Sequence, residues 1–249
     1  LMTFDATPPR APIGALRIST IAMAGVIVAV SVPAVAAAFA MSSRVTDQQA
    51  RVGIAAAGPI TRVVVADSES DVQITGNAGA TGVAGQAVLQ WKGKGGKRPV
   101  LRQSVADGVL TLTKDCSAGG CGPVGITLTV PRNVSVQVTT SQGDIEVSGV
   151  TGAVDLTSSR GGINAEDLGS GNASFKTTEG SINAAFHGAP TRITASNANG
   201  SVTIATDGQT AYYDSVSTTN GLRHLTNVQD RKAAAEIDVT TTNADVTIS

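Results

Sequence analysis

Six times in its second half the chain returns to one short phrase: a polar turn, a glycine, then alternating apolar and polar residues. "TTSQGDIEVS", "TSSRGGINAED", "KTTEGSINAAF", "SNANGSVTIA" and "TTNGLRHL" are five of the copies. With the glycine at position zero, the copies centre on Gly143, Gly161, Gly180, Gly200 and Gly221, and Ala244 takes the place in the sixth. The steps between them are 18, 19, 20, 21 and 23 residues. A period of this size describes a chain that coils and stacks each coil on the next, since one such unit cannot bury its apolar face alone.

The flanks specify what each coil contains. Position +2 holds Ile145, Ile163, Ile182, Val202 and Val246, and +4 holds Val147, Ala165, Ala184, Ile204, Leu225 and Ile248. On the other side, −5 holds Val138, Leu156, Phe175, Ala195, Val216 and Val239, while −7 holds Val136, Val154, Ala173, Ile193 and Ile237. Polar residues fill the places between. Period-two alternation on both sides of a turn predicts two half-buried strands per coil. The expected architecture is an all-β, single-stranded β-solenoid of about 18–21 residues per coil. Position −3 reads Thr140, Ser158, Thr177, Asn197, Thr218 and Thr241, so stacked coils should align these polar groups in a ladder. The zero glycine suits a left-handed or bulged backbone. The fifth copy departs, with Arg223 at +2 and Asp214 at −7, and a bulge or register shift is expected there. "QDRKAAA" (229–235) reads as the extruded loop of the longest step.

The template also fits with Ser70 at zero, where Val63, Val65, Val72 and Ile74 take the four apolar positions, so the solenoid is expected to begin near Thr61. Residues 76–135 are less regular, with a hairpin turning at Asp107-Gly108. A buried Val or Ile contributes roughly 1.5–3 kcal/mol. Four per coil cannot offset ordering a whole coil at about 1–2 kcal/mol per residue, so stability must be collective.

Upstream, residues 18–41 (ISTIAMAGVIVAVSVPAVAAAFAM) carry no charge. As a helix they would span about 36 Å, enough for a hydrocarbon core of about 30 Å. Two readings stand: an uncleaved transmembrane signal anchor, or a signal peptide cut after Ala38-Phe39-Ala40. The full apolar length favours the anchor, and Pro33 favours cleavage. Residues 1–17 are then a disordered cytoplasmic tail, 42–59 a linker and 60–249 an extracytoplasmic domain. Both readings place that domain outside the cytoplasm, either on the cell membrane or secreted.

Composition narrows the chemistry. Formal net charge −1 over 249 residues gives no pull toward nucleic acid, and 3% aromatic content suits no aromatic-lined pocket. Lys92, Lys94, Lys97, Arg98 and Arg102 beside Trp91 read first as a solvated loop or edge strand and second as a polyanion contact. "GKGGK" (93–97) lacks the spacing of a phosphate loop. Cys116 and Cys121 enclose "SAGG", which in an exported chain reads as a disulfide. His187 and His224 read as surface residues two coils apart. Asp144, Glu146, Asp155, Glu166 and Asp167 read as solvated outward positions, not as the carboxylate cluster a glycan-cleaving solenoid needs. Arg160 and Glu179, both at −1, should be neighbours. No catalytic residue, cofactor or metal site is expected.

The stretch "TVPRNVSVQVTTSQGDIEVSGVTGAVDLTSSRGGINAEDLGSGNASFKTTEGSINA" (129–184) resembles the bacterial putative-adhesin family, a right-handed β-solenoid domain of undetermined function. The cysteine pair before the "VP" step and the opening "TRVVVADSESDVQITG" (61–76) extend the resemblance over about residues 60–249. It implies a membrane-anchored, surface-located, non-enzymatic protein and supplies no catalytic residues. Three functions follow as expectations: an adhesin or envelope scaffold contacting envelope polymers, another cell or a partner protein; an end-to-end self-assembling solenoid, since the chain closes on a strand at 245–249 without an obvious cap; or a carbohydrate-active enzyme.

Overall fold

The computed structural model describes residues 47–93, 98–116 and 122–249, all within the unit Arg44–Ser249. The expected tail at 1–17, the anchor or signal peptide at 18–41, Lys94, Lys97 and Cys121 lie outside the described residues. Every regular element described is a strand. The chain enters through β1 (Asp47–Ala56), makes a coil from β2 (Arg62–Ala66) and β3 (Ser70–Asn77), then adds β4 (Val83–Lys92) and β5 (Val100–Ala106). A second coil pairs β6 (Val109–Asp115) with β7 (Val124–Pro131). Regular coils follow: β8 (Ser135–Gln142) with β9 (Ile145–Ser148), β10 (Val154–Arg160) with β11 (Ile163–Leu168), β12 (Ala173–Glu179) with β13 (Ile182–Phe186), and β14 (Arg192–Asn199) with β15 (Val202–Ala205). The last two coils are β16 (Tyr212–Thr218) with β17 (Arg223–Leu225), and β18 (Ala235–Asn243) with β19 (Val246–Ile248).

Each coil gives one strand to each of two sheets. The ten-stranded sheet runs β1-β4-β7-β3-β9-β11-β13-β15-β19-β17, and the nine-stranded sheet β16-β18-β14-β12-β10-β8-β2-β6-β5. All pairs between coils are parallel, whereas β1, β4 and β5 join antiparallel at the N-terminal end. The +2 column forms as the repeat requires: Ile145 pairs with Ile163, Ile163 with Ile182, Ile182 with Val202, and Val202 with Val246. These side chains and their −5 and −7 counterparts fill one continuous core between the sheets.

Chain order and stack order part company at both ends. The first coil, β2–β3, lies between β6–β7 and β8–β9, and the last, β18–β19, slots between β14–β15 and β16–β17. This overturns two expectations. The fifth copy has no bulge: β16 pairs without a break against Ala235–Thr241, and Arg223 sits opposite Val246. Its polar core positions mark an outermost coil, which no further coil covers among the described residues. Nor does the closing strand lie at an open end, since β19 is flanked by β15 and β17. The segment after β17 runs long because it must carry the chain back over one coil. A third expectation changes as well: residues 47–56, within the supposed linker 42–59, form β1 in register with β4. The hairpin at Asp107-Gly108 forms as read, both residues taking positive φ (51° and 75°) between antiparallel β5 and β6.

Candidate functional site

The zero positions stack in a column where coils approach most closely. A Cβ placed on Gly161 would fall on the carbonyl oxygen of Gly143, and one on Gly221 on that of Ala244. Neither glycine has positive φ, so steric approach, rather than a left-handed backbone, explains both. Gly143, Gly180 and Gly200 combine the same approach with positive φ. The −3 side chains align beside this column but bond to backbone, not to one another. Ser158 Oγ donates to Gly143 O (3.2 Å), Thr177 Oγ1 to Gly161 O (3.0 Å), Asn197 Nδ2 to Gly180 O (2.9 Å) and Thr218 Oγ1 to Ala244 O (3.2 Å). Four coils thus satisfy a carbonyl of the neighbouring coil, while Thr140 and Thr241 bond to carbonyls of their own coils, at Gln142 and Ala244. Buried hydroxyls and amides are affordable here because each has a partner.

At the N-terminal end this polar column changes character. Asp67 and Lys114 occupy its places in the first two coils, and Lys114 Nζ lies 3.1 Å from Asp67 Oδ1 with side chains 1% and 4% exposed. Ser70 Oγ and the Ser68 N–H donate to the same carboxylate, while Lys114 also donates to Gly122 O. Cys116 directly follows the end of β6.

The outward residues divide between the two faces. On the nine-stranded sheet, Thr139, Thr157, Lys176, Ser196, Thr240 and Ser217 line up coil by coil. This row is made of short hydroxyls except for Lys176, and the outward row beside it carries Gln137, Asp155, Ser174, Thr194, Asp238 and Ser215. The outer face of the ten-stranded sheet carries carboxylates and amides. Asp71, Gln73, Asp144 and Glu146 line a recess of about 320 Å³, and Asp144, Glu146, Asn164 and Asn183 line its neighbour of about 370 Å³. Asp144 and Glu146 therefore do meet, yet both are engaged: Asp144 Oδ1 accepts from Gly162 N and Glu146 Oε2 from Gln73 Nε2. Glu166 accepts from Asn164, and Asp155 lies on β10 in the opposite sheet. Asp167, in a left-handed conformation (φ 52°) beside a register shift of β11, is held by Arg132 Nη2 at 3.0 Å and His187 Nδ1 at 2.8 Å. Sequence reading missed this trio, because the bulge that gathers it has no signature in the repeat. His224 is exposed on β17, and Arg160 and Glu179 are register partners. Of the basic cluster, Trp91 and Lys92 end β4, and Arg102 on edge strand β5 pairs with Asp115. Among the described residues no group of three or more His, Cys, Asp or Glu converges on a point.

The outermost coil is capped by polar groups in core positions. Arg223 Nη1 reaches across to Val216 O (3.0 Å), and Asn227 Nδ2 donates to Asp214 Oδ1 (3.3 Å). Burial pushes the Asp214 carboxyl up, and the bond from Asn227 offsets part of that. Burial, helped by the nearby charge of Asp207, pushes the Tyr212 phenol up to about 12. Burial also opposes ionisation of Asp207 itself, but bonds from the Thr210 hydroxyl and the Thr210 and Gln209 N–H groups prevail and hold its carboxyl low.

Two stacked sheets whose coils pair in parallel, a glycine column and polar outer faces define a repetitive solenoid-like β domain. Residues 118–249 match the Toastrack DUF4097 family, and the chain belongs to it. No curated protein matches the chain. Among solved structures it is similar to a "putative cell adhesion protein" from Clostridium sporogenes, at 12% identity over 81% of this chain and 99% of that one, with a TM-score of 0.48. A "putative adhesin" from Bacteroides fragilis (12% identity, 81% and 97% covered, TM-score 0.40) and one from Parabacteroides merdae (13%, 80% and 96%, TM-score 0.28) are also similar.

Proposed function

We propose that this chain is a non-enzymatic, membrane-anchored scaffold displayed outside the cell, which contacts envelope polymers or a surface partner through its sheet faces. The observation that carries the reading is the use made of its functional groups. The carboxylates Asp71, Asp144 and Asp245 accept hydrogen bonds from backbone N–H groups of adjacent coils. Groups tied up in this way serve rigidity, and the face they leave is a regular polar surface. Residues 18–41 supply the tether, and Cys116 pairs with Cys121, as befits an oxidising compartment. The coils wind right-handed, as nearly all parallel crossover connections do.

The test has two arms. Intact cells expressing the chain are treated with external protease and its N-terminus is mapped. The domain should be shaved while the segment upstream of residue 41 stays in the membrane; protection from protease, or a mature N-terminus at Met41, overturns the tether. Purified protein is then sedimented with insoluble envelope polymer. Wild type should co-sediment without degrading it, and T157R or T240R, which put a long cation in the hydroxyl row of the nine-stranded sheet, should weaken binding at least tenfold. Release of soluble sugar would overturn the non-enzymatic reading.

A further inference from the structure

The two ends of the stack treat their sheet edges differently. At the C-terminal end the ten-stranded sheet stops at β17, only 3 residues long. The nine-stranded sheet stops at β16, whose edge is covered: Tyr212 N donates to Val228 O, Asp230 N donates to Tyr212 O, and Arg223 takes the Val216 carbonyl. These are the ordinary guards against strand addition. At the N-terminal end the ten-stranded sheet stops at β1, which runs 10 residues in unbroken register with β4 and contains neither proline nor lysine. It does carry two charged residues, Asp47 and Arg51, and one of its backbone groups is taken, Gln103 Nε2 donating to Ala55 O (2.6 Å). Because Ala55 O points away from β4, the alternation of an antiparallel ladder turns the N–H and C=O groups of Gln49, Arg51 and Gly53 outward too. Among the described residues none pairs with them.

We infer that β1 is a docking edge for a second copy of this chain, the two β1 strands pairing antiparallel about a two-fold axis at Ala50. An isologous contact needs a self-complementary strip. In this register Gln49 of one copy faces Arg51 of the other, an amide against a guanidinium, so the two arginines do not oppose one another. Shifting the axis to Arg51 would set like charges face to face. The pairing makes one sheet continuous through both molecules. It draws on the reading above only for the tether: residues 42–46 link β1 to the anchor, so holding two copies in one bilayer raises the local concentration of this edge.

Arg51→Pro and Gly53→Pro test the inference. Each removes an outward N–H that β4 does not use, so the monomer should keep its fold. Full-length protein in detergent, measured by light scattering after size exclusion, should be a concentration-dependent dimer, and both variants should be monomers with the wild-type strand signal and melting temperature. A wild type that stays monomeric at every soluble concentration, or proline variants that still dimerise, overturns the inference. If the variants lose their strand signal, Ala50→Cys decides: a covalent dimer under mild oxidation supports the axis, and its absence overturns it. A failure here leaves the polymer-binding reading standing, because that assay uses the opposite sheet.

Discussion

The inner coils β10–β11, β12–β13 and β14–β15 and the outermost coil β16–β17 follow one template and fill it in opposite ways. In the inner coils the −7 and +2 columns hold Val154 and Ile163, Ala173 and Ile182, Ile193 and Val202, all buried. In the outermost coil the same columns hold Asp214 and Arg223. An inner coil has neighbours on both sides and gains from apolar contact with each. The outer coil has no further coil on its far side among the described residues, only the Val228–Asp230 segment against β16, and an apolar column there would invite another chain. The difference shows that this repeat specifies geometry at every coil but composition only where a coil is covered, as terminal capping units of repeat proteins do.

Three perturbations bear on this contrast. The largest effect is expected at the other end, where the buried polar column becomes the Asp67–Lys114 pair. Lys114→Ala leaves a carboxylate buried without its cation and should cost about 3–5 kcal/mol in denaturant unfolding. The double variant D67T/K114T, which restores the hydroxyls of the regular coils, should recover most of that loss; if it is no more stable than K114A, the column is not one continuous device. Next, Gly161→Ala drives a methyl into a neighbouring carbonyl and should cost about 3 kcal/mol. Ala244→Gly, in the copy that already tolerates a Cβ, should cost less than about 1 kcal/mol. Equal losses would mean that close approach does not set the glycine column.

The smallest effect is expected at the cap. The folded-state pKa of Asp214 is raised, so the ionised carboxyl opposes folding at neutral pH and the opposition fades as pH falls through the folded value. Asp214→Asn should therefore raise the melting temperature at pH 7, and the gain should vanish near about pH 4, where the unfolded-state carboxyl also protonates. A gain that grows toward acid pH would reverse the assignment.

Much of this was legible in the chain. Period-two alternation about Gly143, Gly161 and Gly180 gave both strands of each coil, because a half-buried strand leaves that pattern unavoidably. The start near Thr61 and the turn at Asp107-Gly108 were readable for the same local reasons. What could not be read was adjacency. Coils that share one template are interchangeable in their pairing, so nothing local says that Val246 lies beside Val202 while Arg223 lies outside both. Asp214 and Arg223 stand out as departures, but the repeat alone does not tell a slipped register from an outermost coil. The Arg132–Asp167–His187 trio was hidden because a one-residue bulge, not spacing, assembles it.

The exchanged coil order also bears on how the molecule reaches its final form. A simple spiral could grow one layer at a time as the polypeptide emerges, each new layer finding a finished platform. Here β16–β17 has no platform until β18–β19 arrives, because strands synthesised after it are those that fill the space between it and β14–β15. Completion is thus withheld until residues 235–249 are available, and a nascent chain halted before them would carry a loose final layer open to proteases.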